Sequence, residues 1–307
     1  MLPGRALILK TAALPPIERL VRNSFVFRPL VRRFIAGDTL EEAMKASEAL
    51  CAKGLHVTLD YLGENTHSES EAIQAKNTYI DMAHRIAKSE HAAMMNISIK
   101  LTQCGLDQGE PFAERNFREL LDVASGYGMF VRVDMEASEY TERTIAMIER
   151  VFPEFPNTGT VLQSYLYRAM DDVRRMIRLG ARVRVVKGAY LEPASVAHPS
   201  KADVDRTYVE MAKLLMKEGN YPAIATHDEK IIIELQAYAV AEGIAKDRFE
   251  WQMLYGIRRD LQDKLVAEGY RVRVYIPYGD KWYPYFTRRL AERPANGLFI
   301  LKSLFRR

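Results

Sequence analysis

The sequence predicts one α/β domain, a distorted (β/α)8 barrel of the TIM type with an N-terminal helical extension. Short segments rich in Val, Ile, Leu or aromatic residues alternate eight times with longer helical segments, which indicates a parallel sheet closed into a barrel. Several helical segments end in glycine just before the next strand, as helix C-caps do: Gly180, Gly219, Gly243 and Gly269. No G-x-G-x-x-G motif follows the first strand, which counts against an open dinucleotide-binding sheet.

The elements follow one another in a regular order. Two helical segments, about residues 14–34 and 38–53, precede the first strand. The strand segments are Leu55–Leu62, Asn96–Leu101, Phe130–Met135, Thr160–Tyr165, Arg182–Lys187, Ala223–Thr226, Phe249–Leu254 and Arg271–Tyr275. The helical segments after them are Ser68–Ser89, Phe112–Ala124, Thr141–Val151, Ala169–Leu179, Val204–Glu218, Lys230–Ala241, Ile257–Ala267 and Trp282–Glu292. Ser68-Glu-Ser-Glu71 predicts a capping box at the start of the first of these.

We expect residues 1–54 to form a helical arm packed on the barrel and residues 55–307 to form the catalytic barrel, because no linker rich in Pro, Gly or Ser divides them. Residues 5–33 are strongly basic, with Glu18 as their acidic residue. Apolar side chains such as Leu20 and Phe27 interleave with these cations. The pattern is typical either of a helix packed on the domain or of an amphipathic element on a membrane surface. We favour the packed arm.

Composition excludes several classes of function. The net charge of +4 is the small difference between 44 basic and 40 acidic residues, which does not predict a nucleic-acid partner. No run of 18 apolar residues is present, so the sequence predicts no membrane span. Cys51 and Cys104 have neither a metal-binding spacing nor the pattern of a disulfide framework, which fits a reducing compartment.

Polar side chains recur at the carboxyl ends of the predicted strands, where the working groups of such barrels lie. These residues are Lys100, Asp134, Gln163, Arg184, Lys187, Tyr190, His227, Gln252 and Tyr275. Each alone has a structural explanation: Asp134 and Glu136 would cap the next helix, His227 would make a structural hydrogen bond, and Lys100 would be a surface cation. Because all of them converge on one axis, we interpret them together as a ligand site.

The last predicted helix carries an unusual face. Tyr285, Arg288, Arg289 and Glu292 have the i, i+3, i+4, i+7 spacing of the face that a helix normally buries. Two adjacent arginines that point inward need an anion, and a carboxylate matches guanidinium geometry. The alternative is a solvated face with ion pairs such as Arg288–Glu292.

The expected ligand is anionic. Lys100, Arg184, Lys187 and the arginine pair outnumber the acids Asp134 and Glu292. Lys187-Gly188-Ala189 offers a cation and a close backbone approach, as a phosphate requires. No cluster of metal-ligand quality and no Ser-His-Asp order is present in the sequence. These residues therefore predict a barrel enzyme that acts on an anionic small molecule with a phosphorylated cofactor, and they leave the reaction open.

At these residues the chain resembles the proline dehydrogenase family, in its monofunctional bacterial form. The segments that carry the resemblance run from strand two to the C-terminal region: Ile99-Lys-Leu, Val131-Arg-Val-Asp-Met-Glu136, Leu162-Gln-Ser-Tyr-Leu166, Val183-Arg-Val-Val-Lys-Gly-Ala-Tyr190, Ala225-Thr-His, Phe249-Glu-Trp-Gln-Met-Leu-Tyr-Gly256, Arg273-Val-Tyr-Ile-Pro-Tyr-Gly279 and Tyr285-x-x-Arg-Arg-x-x-Glu292. Each segment alone is a weak signal, whereas the set is specific.

The resemblance implies an FAD-dependent oxidoreductase that converts L-proline to 1-pyrroline-5-carboxylate, the first step of proline catabolism to glutamate. It implies that FAD is bound non-covalently, and that a membrane quinone takes the electrons. Asp134 and Arg184 would be the catalytic residues. The substrate would contact Lys100, Tyr190, Leu254, Tyr275, Tyr278, Arg288, Arg289 and Glu292. The cofactor would contact Asp134, Met135, Gln163, Arg184, Lys187, Gly188, Ala189, Thr226, His227 and Gln252.

The expected location is the cytoplasm, with peripheral contact with the inner face of the cell membrane through the basic arm. Two other functions stay open. Lys100 at a strand end would also suit a Schiff-base lyase or aldolase that acts on an anionic carbonyl compound. A ligand-binding barrel without enzymatic activity would keep the arginine pair but would show no reduction of a flavin by proline.

Overall fold

Eight parallel strands pair in sequence order, and β8 pairs with β1 to close a barrel. This computed structural model describes residues 12, 14–23, 27–63 and 65–292. The strands are β1 His56–Tyr61, β2 Met95–Ile99, β3 Val131–Val133, β4 Thr158–Gln163, β5 Arg182–Val186, β6 Ala223–Ala225, β7 Glu250–Leu254 and β8 Val272–Tyr278. The predicted fold class is confirmed.

A helix follows each strand, as the alternation predicts. Before β1 lie α1 Pro15–Asn23, α2 Arg28–Phe34 and α3 Leu40–Cys51. After it come α4 Glu69–Ala87, α5 Glu110–Gly126, α6 Ser138–Val151, α7 Ala169–Leu179, α8 Lys201–Glu218, α9 Glu229–Ala241, α10 Arg259–Ala267 and α11 Tyr283–Glu292. The predicted helix over 14–34 is wrong, because α1 and α2 are separate elements and Pro29 lies in the first turn of α2. Proline is tolerated there, since the N–H that it lacks has no partner within the helix.

Two helix starts show how side chains replace missing backbone partners. Thr39 and Glu42 form a complete capping box at α3. At α4, the Ser68 side chain accepts from the Glu71 N–H, as the sequence predicts. The Glu71 carboxylate, however, accepts from the His67 N–H at 2.7 Å, so the second half of the predicted box is shifted by one residue.

The strands separate an apolar outer layer from a polar interior. On β1, Val57 and Leu59 face outward and are fully buried against the helices, whereas Thr58 and Asp60 alternate with them and face the interior. The interior of this barrel therefore contains buried charge, including Arg132 and Glu250. Such groups are stable only when other groups compensate their charge.

The N-terminal helices help to place α11. Val31 and Phe34 of α2 pack with Tyr285 and Phe286 of α11, and the rings of Phe34 and Phe286 lie 6.4 Å apart. A Cβ atom on Gly256, in the loop after β7, would lie 1.7 Å from the backbone oxygen of Arg33. Glycine is therefore required where α2 crosses this loop. The division into an arm of residues 1–54 and a barrel of residues 55–307 stays a prediction.

Among the described residues, no helix is both long enough and apolar enough to cross a bilayer.

Candidate active site

A cavity of about 980 Å³ opens at the carboxyl ends of the strands, with α11 along one side. Its volume lies at the upper end of the range of about 300–1,000 Å³ that is usual for small-molecule sites. The predicted site residues that line it are Lys100, Asp134, Met135, Gln163, Arg184, Lys187, Gly188, Ala189, Tyr190, Thr226, His227, Gln252, Leu254, Tyr275, Arg288 and Arg289. The structure thus brings together residues that lie on or just after seven strands, β2 to β8, and residues of α11.

Asp134, Arg184 and Tyr275 form the centre of the site. The Arg184 guanidinium donates to Oδ1 of Asp134 at 2.6 Å, and the Tyr275 hydroxyl donates to Oδ2 at 2.7 Å. Burial and the Asp134 carboxylate raise the pKa of Tyr275 well above its usual value, so the phenol keeps its proton. Arg184 also donates to Ser98 and Gln252 and lies 5.2 Å from the Tyr275 ring. Asp134 is therefore bonded within the barrel rather than capping the next helix.

Lys100 lies directly after β2 and is paired with Asp60 of β1. Its ammonium donates to Oδ1 of Asp60 at 2.7 Å, and both side chains are almost fully buried. Burial lowers the pKa of Lys100, but the carboxylates of Asp60 and Asp134 outweigh it, and the pKa is raised above its usual value. Lys100 is thus a charged ammonium at the cavity wall.

The face of α11 points into the cavity. Tyr285, Arg288 and Arg289 all line it. The Arg288 guanidinium lies 5.6 Å from the ring of Tyr190, and Arg289 lies 5.2 Å from the ring of Tyr285, which orients both cations. Glu292 is the last residue of α11, and its side chain lies outside the described residues.

Tyr190 belongs to the loop between β5 and α8, which is fastened to its neighbours. Glu192 in this loop accepts from the backbone N–H of Ser138 at 2.8 Å and from its hydroxyl, at the start of α6. The loop therefore supplies the cap that Ala137 lacks. This contact joins the loop that carries Tyr190 to the start of α6.

Lys187 is held by carboxylates. Its ammonium lies 2.6 Å from Asp205 of α8 and 3.1 Å from Asp228, the N-cap of α9. Next to it, Gly188 has φ +109°, and a Cβ there would lie 2.5 Å from the Tyr165 ring. The segment therefore needs glycine both for its conformation and for the close approach of the ring.

Gln163 and Glu136 adjoin this region. The Gln163 amide donates to the backbone oxygen of Glu136 at 3.2 Å, while its buried Oε1 has no hydrogen-bond partner among the described residues. The Glu136 carboxylate accepts from the hydroxyl of Thr102 at 2.6 Å, so it does not cap α6. The cavity wall thus holds one acceptor that a bound molecule can satisfy.

The ends of β6 and β7 are joined by His227. Its Nε2 accepts from the backbone N–H of Leu254 at 3.0 Å, which places the ring proton on Nδ1. The Thr226 hydroxyl accepts from the backbone N–H of Asp228 at 3.1 Å. The structural hydrogen bond expected of His227 is present, and the residue also lines the cavity.

The structure does not bring Tyr278 to the cavity. β8 continues to this residue, and side chains alternate along a strand, so Tyr278 faces the side opposite to Tyr275. Its ring packs at 5.6 Å from the ring of Tyr61. The prediction that Tyr278 lies near the substrate is therefore not supported by its position.

Sequence reasoning missed four acids that line the cavity: Glu18, Asp60, Asp205 and Asp228. Asp60 had a usable signal, because it lies near the end of a strand, as Lys100 and Asp134 do. Asp228 follows His227 directly and was passed over. Asp205 lies on α8, and nothing in its local pattern points to the cavity. It also missed the cations Arg22, Lys201 and Lys281, so the cavity keeps the excess of positive charge that the sequence indicates. Among the described residues, no three or more His, Cys, Asp or Glu side chains are grouped as metal ligands.

Comparison with known proteins places these features in a family. Residues 43–301 match the proline dehydrogenase family. The chain is 42% identical over 309 residues to a proline dehydrogenase of Deinococcus radiodurans, which covers 98% of each chain. It is 45% identical over 276 residues to proline dehydrogenase 1 of Bacillus subtilis (strain 168), which covers 90% of this chain and 91% of the relative.

A solved structure has the same fold. Proline utilization A (PutA) from Bdellovibrio bacteriovorus, inactivated by N-propargylglycine, superimposes with a TM-score of 0.83 at 24% sequence identity. The match covers 98% of this chain and 38% of the PutA chain, so this chain corresponds to one part of that longer protein.

Proposed function

The chain belongs to the proline dehydrogenase family, and from this premise we propose that it oxidises L-proline to 1-pyrroline-5-carboxylate, the first step of proline catabolism to glutamate. We further propose that it uses non-covalently bound FAD and delivers the electrons to a membrane quinone. The observation that carries the proposal is that Arg288 and Arg289 line the same cavity as the buried Asp134–Arg184 pair. Two guanidinium groups that can bind a carboxylate and the Asp134–Arg184 ion pair therefore line the same cavity.

The residues of the cavity fit a flavin dinucleotide. The unsatisfied Oε1 of Gln163 is an acceptor that an N–H group of the flavin ring would satisfy. Lys187 is a cation for the pyrophosphate, and Gly188 leaves the backbone beside it without a Cβ. We propose that Met135, Ala189, Thr226, His227 and Gln252 hold the rest of the cofactor. When bound, FAD supplies the oxidising power for the reaction.

Substrate binding follows from the arginine pair. Two guanidinium groups can hold the carboxylate of proline with paired hydrogen bonds, and their stacking on Tyr190 and Tyr285 fixes their direction before the substrate arrives. Tyr190, Leu254 and Tyr275 would enclose the pyrrolidine ring. Glu292 would support the pair from the end of α11, as the sequence predicts.

The charges of the site also act on the amine of proline. The carbon next to nitrogen is oxidised most readily when the amine is neutral. Lys100, Arg184 and the arginine pair place positive charge around it, which lowers the pKa of the substrate amine. Asp134 has both oxygens occupied by Arg184 and Tyr275, so its role here is to hold these two side chains in place.

The direct test is the visible absorption spectrum of the purified protein before and after anaerobic addition of proline. We expect a yellow protein whose flavin band bleaches with proline. A colourless protein that borohydride traps with an anionic carbonyl compound would instead support the Schiff-base alternative. A protein that binds proline without bleaching would support a ligand-binding barrel.

The ion pair between Lys100 and Asp60 disfavours the Schiff-base alternative. A lysine that forms a Schiff base needs a free amine near neutral pH, which requires a lowered pKa. Here the ion pair with Asp60 keeps the amine protonated. Lys100 is better suited to an electrostatic role at the substrate.

Electron transfer to a quinone requires contact with the membrane, and the basic segment of residues 5–33 offers charge for it. We therefore propose a cytoplasmic protein that contacts the inner face of the cell membrane peripherally. Flotation with anionic liposomes, comparing the full chain with a variant in which Arg5, Lys10 and Arg19 are replaced by serine, tests this contact, because these substitutions leave α2 and its packing on α11 in place. Equal flotation of both would exclude the segment as the anchor.

A further inference from the structure

A series of hydrogen bonds runs from Arg184 into the barrel interior. The Arg184 Nε donates to Oε1 of Gln252 at 2.5 Å, and the amide nitrogen of Gln252 donates to Oε1 of Glu250 at 2.5 Å. The same oxygen of Glu250 accepts from Nε of Arg273 at 2.8 Å. Gln252 and Glu250 are two residues apart on β7, so their side chains lie on the same face of the strand. This series of hydrogen bonds therefore links Arg184 at the cavity with Glu250 and Arg273 beneath it.

In each hydrogen bond of this series, the chemistry of the side chains fixes which group donates and which accepts. Arginine can only donate, and an ionised carboxylate can only accept. Gln252 lies between the two, so its oxygen must face Arg184 and its nitrogen must face Glu250. If the amide were flipped, the N–H of Arg184 would face the NH2 group of Gln252, and the carboxylate of Glu250 would face the amide oxygen.

Glu250 is itself anchored and charged. Arg273 donates to the backbone oxygens of Val57 at 2.8 Å and Met94 at 3.2 Å, and the Tyr221 hydroxyl donates to Oε2 of Glu250 at 3.3 Å. Burial raises the pKa of Glu250, but Arg273 and the hydrogen bonds outweigh it, and the pKa falls to about 2. The acceptor beneath Gln252 is thus permanent at any working pH.

We propose that Glu250 is a positioning residue of the enzyme: it fixes the amide of Gln252, which in turn holds the guanidinium of Arg184 in its working orientation at Asp134. The inference rests on the proposed function, because it concerns the residue placed beside the flavin. Glu250 does not line the cavity and acts through Gln252. All three nitrogens of Arg184 have partners: Nε donates to Gln252, Nη1 to Asp134 and Nη2 to Ser98, and Glu250 acts on the first of these bonds.

The test compares Glu250→Ala with Glu250→Gln in the flavin-loaded enzyme. The alanine variant removes the acceptor, so Gln252 is free to rotate, and we expect kcat to fall about tenfold or more while KM for proline changes about twofold or less. The amide introduced by Glu250→Gln still offers an oxygen to Gln252 and Arg273, so kcat should stay within about threefold. The flavin midpoint potential should move in the alanine variant and much less in the glutamine variant.

Thr58→Val is the matched control. Thr58 is buried in the barrel interior and donates to Asn96 at 2.5 Å, and among the described residues no hydrogen bond joins it to Gln252 or Arg184. We expect it to lower the melting temperature without moving the flavin potential. If Glu250→Ala behaves like Thr58→Val, with lower stability but unchanged kcat and potential, Glu250 has only a structural role and the proposal is overturned.

A swap covers the case in which the alanine variant does not fold. Gln252→Glu alone brings two carboxylates together, and we expect kcat to fall about tenfold or more. Adding Glu250→Gln restores a donor opposite the new carboxylate and the original net charge, so much of the loss should be recovered. Additive losses in the double variant would show that the two residues do not act through their mutual bond.

The wild-type enzyme separates failure of this proposal from failure of the proposed function. A wild-type protein without flavin would refute the proposed function before any variant is compared. A yellow wild type that proline bleaches, combined with equal kinetics and potential in all Glu250 variants, would refute the positioning role alone.

Discussion

Buried charge is compensated differently in two layers of the barrel interior. The lower layer contains Arg132, Glu250 and Arg273, and the upper layer, next to the cavity, contains Asp134, Arg184 and Tyr275. In the lower layer, Glu250 is surrounded by groups of the protein itself, with Arg273, Gln252 and Tyr221 as donors. In the upper layer, Asp134 is likewise bonded to two donors, Arg184 and Tyr275, but these three side chains also line the cavity. The lower layer keeps its charges among protein groups, whereas the upper layer presents part of each charged group to a ligand.

The difference shows what a charged residue in this barrel needs. Arg132 in the lower layer donates to two backbone oxygens, yet its Nε has no partner among the described residues, and burial together with Arg184 lowers its pKa well below the usual value. Charge in the lower layer is therefore costly and must be compensated. We expect substitutions in the lower layer to affect mainly stability, with the exception of Glu250, which acts on Arg184 through Gln252. Substitutions around the cavity should affect mainly kinetics and binding.

The largest expected effect is that of Arg273→Met in the lower layer. It leaves the Glu250 carboxylate without its main cation in a buried site, where breaking such a pair costs about 3–5 kcal/mol. Urea unfolding of the variant should show this loss in the free energy of unfolding. A loss below about 1 kcal/mol, the usual size for an exposed pair, would show that water or rearrangement compensates the charge in this layer.

Around the cavity, Arg288→Ala and Arg289→Ala should change kinetics instead. Each removes a charge-assisted pair with the carboxylate, worth about 2–3 kcal/mol, so KM for proline should rise roughly 30- to 150-fold. Flavin content and melting temperature should change little. Arg259→Ala is the control, because Arg259 stacks on Tyr255 at 5.9 Å outside the cavity and should leave KM as it is. Equal loss of flavin in both cavity variants would contradict the clamp role.

The lowered pKa of Glu250, in the lower layer, should make the free energy of unfolding depend on pH. The pKa of Glu250 is about 2 in the folded protein against an ordinary 4.5. A lowered pKa stabilises the folded state above about pH 4.5, and this contribution is lost as the pH falls towards 2. Integrated over this shift, it is about 2–4 kcal/mol. The advantage of wild type over Glu250→Gln in denaturant unfolding should therefore shrink between pH 5 and pH 2, and a constant difference would contradict the charged state of Glu250.

The alternation of strands and helices predicted the fold, and the polar strand ends predicted most of the cavity wall. Lys100 and Asp134 were found because each lies at the carboxyl end of a strand, where barrels collect their working groups, and Arg184 because it is a cation within β5. Glu250 was not found, because its importance depends on the neighbour that β8 brings to it, Arg273. That pairing is a property of the strand register and not of the local sequence.

Two other errors have the same origin. The resemblance to the family placed Tyr278 near the substrate together with Tyr275, but three positions along a strand reverse the direction of the side chain. Asp205 was missed because α8 carries it to Lys187 from outside the barrel sheet. Local patterns identify the ends of strands, whereas the contacts between distant segments require the assembled structure.

The smallest effect that we predict concerns Lys187, at the edge of the cavity. It is paired with Asp205 and Asp228 and is partly exposed, so its removal should cost little stability. Lys187→Met would, however, leave Asp205 and Asp228 with the exposed Lys201 as their remaining ion-pair partner among the described residues. The proposed phosphate site would lose its partly buried cation, and we expect FAD to bind about tenfold more weakly. Fluorescence titration of the flavin-free protein with FAD measures this.

Lys213→Met provides the comparison for this last effect. Lys213 also lies on α8 and pairs with Glu234 at 2.7 Å, but it does not line the cavity. Its removal should leave FAD affinity within about twofold of wild type, since the charge is screened by solvent. If both lysine variants weaken FAD equally, the general positive charge of this surface attracts the cofactor. If neither does, the two carboxylates already neutralise Lys187 in the bound state, and the phosphates are held by backbone groups of the loop at Gly188.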